Sequence, residues 1–160
     1  MCHESSGAAL SETLGIGKGS VKLEDFYETD LIIIMGQNPG TNHPRMLSAL
    51  EKAKTNGAKI ITVNPIKEAG LIGFMHPQKI SGLLGQSTEL TDLYLQVQIN
   101  ADMALLQALA KLLIDKERKN GGIIDHDFIK NKTENYEDYI NHLDSLDLDQ
   151  LIKDLSLIHI

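Results

Sequence analysis

A chain of 160 residues, 42% hydrophobic and 23% charged with no tryptophan, has the make-up of one soluble globular domain, and at that length a fold buries roughly 70% of its extended-chain surface. Its formal net charge of -7 excludes a general nucleic-acid surface, which needs a basic footprint. No stretch approaches the roughly 20 apolar residues of a membrane helix, no basic-then-apolar leader opens the chain, and Cys2 as the lone cysteine cannot form an internal disulfide, so the expected setting is reducing and cytoplasmic.

In chain order, Ser5 and Ser6 stand where the cap of a short helix through Leu14 belongs, and Gly15-Ile16-Gly17-Lys18-Gly19 ends it. Glu24 to Tyr27 reads as one more helical turn. Leu31-Ile32-Ile33-Ile34-Met35 and Lys59-Ile60-Ile61-Thr62-Val63 are continuous apolar runs of the kind buried on both faces of a parallel sheet. Between them, Pro44 to Lys54 places Met46, Leu47 and Leu50 at helical spacing, with Pro44 suited to the first turn and Gly57 to the stop. That is a βαβ unit, whose right-handed crossover makes the strands parallel and gathers the following loops at their C-terminal ends. A long connection from Pro65 to Asp92 is of the sort that is functional or partly disordered. Leu93 to Val97 alternates like a strand, and Ala101 to Ile114 carries Met103, Leu105, Leu106, Leu109, Leu112 and Leu113 on an apolar face, with Asn100 or Asp102 as its cap. Asp125 to Lys130, Glu134 to Leu143 and Leu148 to Leu155 read as amphipathic helices in an acidic final third. The expected fold is α/β, a three-layer Rossmann-like domain with a mostly parallel sheet flanked by helices, occupying residues 1–160 as a single, partial unit.

Three segments could carry chemistry. The first strand runs into Gly36-Gln37-Asn38-Pro39-Gly40-Thr41-Asn42-His43, where small and amide residues let a backbone approach a ligand and the next helix offers N–H groups to a phosphate. The segment matches neither the dinucleotide glycine pattern nor a Walker loop, and a plain turn rich in turn-formers explains it equally well. The second strand ends in Asn64-Pro65-Ile66-Lys67, an amide where a dinucleotide fold has an acid, followed by a lysine able to face a nucleotide. Two adjacent strand ends with amide side chains describe a nucleotide crevice, and an ordinary solvated turn remains the alternative. Cys2-His3 pairs a soft metal ligand and nucleophile with a base, against the plainer reading of a mobile terminus. The other histidines show no metal-ligand spacing.

Taken in order, "CHESSGAALSETLGIGKG", "DLIIIMGQNPGTNHPRMLSALEKAKTNGAKIITVNPIKEAGL" and "LYLQVQINADMALLQAL" resemble the catalytic subunits of molybdopterin oxidoreductases, specifically formate dehydrogenase alpha subunits and their formate-dehydrogenase-like relatives. The resemblance spans residues 2 to about 154 and rests on three separated segments. It implies an α/β domain holding one of two molybdopterin guanine dinucleotides, with Cys2 as the molybdenum ligand and His3 taking up the proton released by substrate. It also implies that Met35 to Asn42, including Gly36, Gln37, Asn38, Thr41 and Asn42, line the dinucleotide. Val63 to Lys67, including Asn64, Pro65 and Lys67, would meet its nucleotide end, and Asn100 and Asp102 would recognise guanine.

Departures from the family shape the functional expectation. The iron-sulfur, second pterin-binding and C-terminal barrel parts are absent, and one cysteine cannot hold a four-cysteine cluster, so no iron-sulfur cluster is expected on this fragment. The connection from Glu68 to Thr91 suits the formate-dehydrogenase-like branch, and Leu155 to Ile160 reads as a frame change or truncated ending. Cys2 is then terminal because the chain starts inside a larger enzyme. The expected activity is two-electron oxidation of formate or a similar small substrate in the full-length enzyme, with the isolated chain inactive. The alternatives are a non-catalytic nucleotide-binding α/β module and an inactive truncated product. Expected partners are the remaining domains of the subunit and an unidentified electron acceptor, with no nucleic acid and no membrane segment, and self-association through the apolar faces of the terminal helices.

Overall fold

The computed structural model describes residues 4–75, 84–85 and 87–155. Helix α1 (Glu4–Leu14) takes Ser5 and Ser6 into its first turn instead of using them as caps, and none of its residues is buried. Helix α2 (Asp25–Glu28) follows as the expected single turn. Strand β1 (Leu31–Met35), helix α4 (Pro44–Thr55) and strand β2 (Lys59–Val63) form the βαβ unit, with a short helical turn, α3 (Pro39–Asn42), inserted after β1. Pro44 starts α4, where its missing N–H costs nothing, and Lys52 and Lys54 complement the negative end of the helix dipole. Gly57, at φ 105°, then supplies the left-handed residue that turns the chain into β2.

Strand β5 (Leu93–Leu95) completes a three-stranded sheet in the order β1-β2-β5. The Lys59 N–H donates to the Asp30 carbonyl at 2.8 Å and the Gly36 N–H to the Val63 carbonyl at 2.9 Å, so residue numbers climb together and the pair is parallel. Asp92 donating to Ile60 at 2.8 Å and Asn64 donating to Leu95 at 3.1 Å give β2 and β5 the same sense. The long connection is partly regular: helix α5 (Ala69–Ile72) leads into strand β3 (Gly73–Phe74), which pairs antiparallel with β4 (Thr88–Glu89).

Helices α6 (Asp102–Asn120), α7 (His126–Lys132), α8 (Tyr136–Ser145) and α9 (Leu148–Leu155) follow. Two expectations fail here. Neither Asn100 nor Asp102 caps α6: Ala101 holds the cap position without a side-chain bond, because Asn100 is in a left-handed conformation at φ 73° and Asp102 is already inside the first turn. The helix also continues past Ile114 to Asn120. Arg118 on that extension makes a two-pronged bond to Asp144 of α8 at 2.8 and 2.7 Å, a tertiary contact that apolar periodicity does not reveal.

Contacts divide the chain into two compact units, one of residues 1–34, 38–61 and 68–93, the other of residues 35–37, 62–67 and 94–160. The first contains the contiguous core: Ile32, Ile34 and Ile60 of the sheet against Leu47, Leu50 and Ala53 of α4, closed by Leu71 and Leu90. β1 is buried on one face only: Ile32 and Ile34 face the core while Leu31 and Ile33 on the opposite face are about half exposed, so it is not the doubly covered strand its composition suggests. The second unit gathers the C-terminal ends of the strands with α6 to α9. Its buried residues form a seam in which α6 lies against α9 and α8 through Leu105, Ala108, Leu143, Leu151 and Leu155.

Candidate functional site

The turn after β1 begins in the second unit with Gly36, whose φ of 64° comes directly after its ladder bond to Val63 and swings the chain out of the sheet. Gln37 follows, half-buried. In the first unit, the Asn38 side chain caps α3 by accepting the Thr41 N–H at 3.1 Å, and its amide donates to Glu68 at 2.6 Å. Gly40 lies against Gly70 of α5, where an added Cβ at Gly70 would stand 2.8 Å from the Gly40 Cα. Here the small residue serves a helix-to-helix contact within the chain. Thr41, Asn42 and His43 are exposed.

The second unit holds the other candidate residues. Asn64 is buried at 7% exposure, donates its N–H to Leu95 and accepts the Ile66 N–H on its side-chain oxygen at 3.3 Å, an Asx turn that shapes the step after β2. Gln96 donates to the Pro65 carbonyl at 2.8 Å, and the Tyr94 hydroxyl donates to the Ile66 carbonyl. Those bonds fasten the turn from β5 and leave the Lys67 side chain exposed. Tyr94 and Gln96 were not singled out in the sequence; polar side chains at the end of an otherwise apolar strand were the available signal. Asn100 and Asp102 are both exposed at the start of α6, where unpaired N–H groups favour an anion. An open depression of about 520 Å³ adjoins them, lined by Gln98, Asn100, Met103, Gln107, Lys153 and Asp154 among others. Lys153, contributed by α9, is a cation that reading the strand ends could not have found.

Cys2 and His3 lie outside the described residues. Among the described residues no three histidine, cysteine, aspartate or glutamate side chains are grouped to hold a metal, and no helix is long and apolar enough to cross a membrane. The strongest electrostatics lie away from the candidate residues. Hydrogen bonds from Lys54 and from the Ile60 N–H hold the Asp92 carboxyl at about 2, below its ordinary 3.8. In the second unit, His126 and the N–H groups of Ile123, Ile124 and Gly122 hold Glu117 at about 2, below its ordinary 4.5.

No family model matches the chain. It is 54% identical over 140 residues to an uncharacterized oxidoreductase of Mycobacterium tuberculosis, a match that takes in 87% of this chain and 18% of that protein. Its relatives are oxidoreductases. The assimilatory nitrate reductase catalytic subunit of Bacillus subtilis is 30% identical over 158 residues, 98% of this chain and 19% of the relative. Formate dehydrogenase H of Escherichia coli is 28% identical over 137 residues, 86% of this chain and 16% of the relative. The chain therefore spans less than a fifth of the curated relatives it matches. Acetylene hydratase from Pelobacter acetylenicus superposes with a TM-score of 0.69 at 16% identity, over 98% of this chain and 18% of that one, a shared α/β fold. The nitrate reductase is matched at slightly higher identity than the formate dehydrogenase, so the formate branch is not singled out.

Proposed function

We propose that this chain is the α/β part of a molybdopterin oxidoreductase that works as one portion of a longer polypeptide and holds the nucleotide end of a molybdopterin guanine dinucleotide. The observation that carries the reading is the match, over most of the chain, to an oxidoreductase, a nitrate reductase catalytic subunit and a formate dehydrogenase. The residues of the second unit suit such a ligand. Lys67 supplies an exposed cation beside a turn fixed by Gln96 and Tyr94. Asn100 and Asp102 offer an amide and a carboxylate to the donor and acceptor edge of a guanine, and the Asn100 side adjoins an open, polar-rimmed depression. In the first unit, the amide of Asn38 is already engaged by Glu68 and Thr41, so its part is to shape the loop that carries Gln37, Thr41 and Asn42.

When bound, the metal and its pterins supply two-electron redox chemistry. The protein's own contribution is positional. In the longer polypeptide Cys2 would ligate molybdenum as a thiolate and His3 would take up the proton that leaves the substrate, while within the second unit the Asn64 to Lys67 turn would hold the nucleotide end. Formate or a similar small substrate fits the sequence resemblance, and the two electrons pass to an acceptor outside this chain. Thermal denaturation of this chain with GDP tests the pocket: a ligand at a hundred times its Kd stabilises the folded state by about 2.7 kcal/mol, raising the Tm by a few degrees. Asn100→Ala and Asp102→Asn should remove that rise, and an unchanged Tm at millimolar GDP would refute a preformed nucleotide site. In the longer polypeptide, bound molybdenum and pterin together with dye-linked activity on formate distinguish this reading from a nucleotide-binding module without redox chemistry. Cys2→Ala should abolish the activity.

A further inference from the structure

The turn after β2 is fastened by two side chains from β5 and the residue just beyond it. Tyr94 and Gln96, two positions apart, each capture one of its carbonyls: the Gln96 amide donates to Pro65 at 2.8 Å and the Tyr94 hydroxyl donates to Ile66. Leu95 between them accepts the Asn64 N–H at 3.1 Å. A trans peptide is planar with its C=O and N–H on opposite sides, and no peptide bond among the described residues is cis. Each captured carbonyl therefore fixes the direction of the N–H that follows it. Behind the Pro65 carbonyl lies the Ile66 N–H, which the Asn64 side chain accepts at 3.3 Å. Behind the Ile66 carbonyl lies the N–H of Lys67, which points away from Tyr94 and has no acceptor among the described residues. Lys67 itself is exposed.

We propose that Tyr94 is a positioning residue for phosphate: by holding the Ile66–Lys67 peptide it keeps the Lys67 N–H turned outward, so that this N–H and the ammonium of the same residue together take a phosphate oxygen. The inference rests on the nucleotide reading and deepens it, dividing the site into a base part at Asn100 and Asp102 and a phosphate part at Lys67. The donor set suits an anion. A backbone N–H and a lysine both donate and neither accepts, so a phosphate oxygen, which only accepts, gains more there than a ribose hydroxyl that must also donate. A peptide plane free to rotate would turn its carbonyl toward the phosphate part of the time and repel it. The Tyr94 hydroxyl removes that orientation before the ligand arrives, which lowers the ordering cost of binding.

Calorimetric titration of this chain with GDP and, separately, with guanosine tests it. GDP should bind on the order of tenfold tighter than guanosine, with the excess shrinking in high salt. Tyr94→Phe keeps the ring and removes only the hydroxyl; it should weaken GDP severalfold and leave guanosine as it was, whereas a merely structural role moves both ligands alike. Lys67→Ala, at an exposed site that leaves the clasp intact, should cut the excess further, and Tyr94→Phe added to it should then cost less than it does alone. Gln96→Leu frees the plane whose N–H Asn64 has already taken, and should cost GDP less than Tyr94→Phe. Equal affinities for the two ligands, equal losses of both in Tyr94→Phe, or fully additive losses in the double variant overturn the phosphate role and leave the nucleotide reading standing. Binding of neither ligand by the unaltered chain removes that reading and this one with it.

Discussion

The unit that contains most of the sheet and the unit that contains the C-terminal helices are held together by different means. In the first, nine buried residues form one contiguous cluster across β1, β2, α4 and the segments that close it. In the second, leucines on α6, α8 and α9 form a seam, and polar clasps near solvent supplement it: Arg118 on Asp144, Lys111 on the Leu143 carbonyl, and Glu117 on three N–H groups of the following loop. Each unit has one carboxylate that gathers backbone and cation together, Asp92 in the first and Glu117 in the second. Asp92 bonds lysines 54 and 59, while the cation facing Glu117 is His126, charged only when protonated. Burial of apolar surface is not screened by salt or changed by pH, and the clasps are subject to both. The contrast teaches that the helical unit should be the more condition-sensitive part.

Truncation sharpens that contrast most strongly. Leu50→Ala, at a position 1% exposed inside the contiguous cluster, should cost about 2–5 kcal/mol in denaturant unfolding. Leu143→Ala, equally buried in the helical seam, should fall at the lower end of that range because a thinner layer relaxes around the gap, and equal losses would break the comparison. Gly70→Ala comes next, since its methyl meets the Gly40 backbone at 2.8 Å and one of the two short helices must shift; about 1–3 kcal/mol is expected, read from the shift in Tm. Asp92→Asn is smaller, at most about 1 kcal/mol, because the site is partly exposed and solvent screens the lysines.

The acid range gives the finest discrimination. Both carboxylates have folded-state values below their ordinary ones, so each stabilises the fold above its ordinary value and ceases to do so as pH falls toward about 2. Stability should therefore decline from about pH 4.5 downward. Asp92→Asn and Glu117→Gln should each flatten that decline, and chemical denaturation at stepped pH measures it. Only Glu117→Gln should loosen the 121–126 loop selectively, seen as faster amide exchange at Ile123 and Ile124.

Much of this was readable from local pattern. Both β1 and β2 appear with the expected bounds, α4 starts at its proline, and the strands run parallel as a βαβ crossover demands. Of the candidate residues, Asn64, Pro65 and Lys67 were legible as a strand-end turn, yet the partners that shape it, Tyr94 of β5 and Gln96 just after it, lie some thirty residues further along the chain. The continuation of α6 was not legible, because its last turns are charged and find their reason in Asp144 on a separate helix.

By itself the sequence determined the βαβ unit and its parallel sense, because periods of two and 3.6 residues are written in neighbouring side chains and the start of α4 in a single proline. Only the tertiary structure decided which polar and small groups remain available to a ligand. Asn38 and Gly40 look like their ligand-binding counterparts until Glu68 and Gly70, some thirty residues on, are brought against them. A hydrogen bond or a van der Waals contact depends on distance in space, and chain order does not encode it.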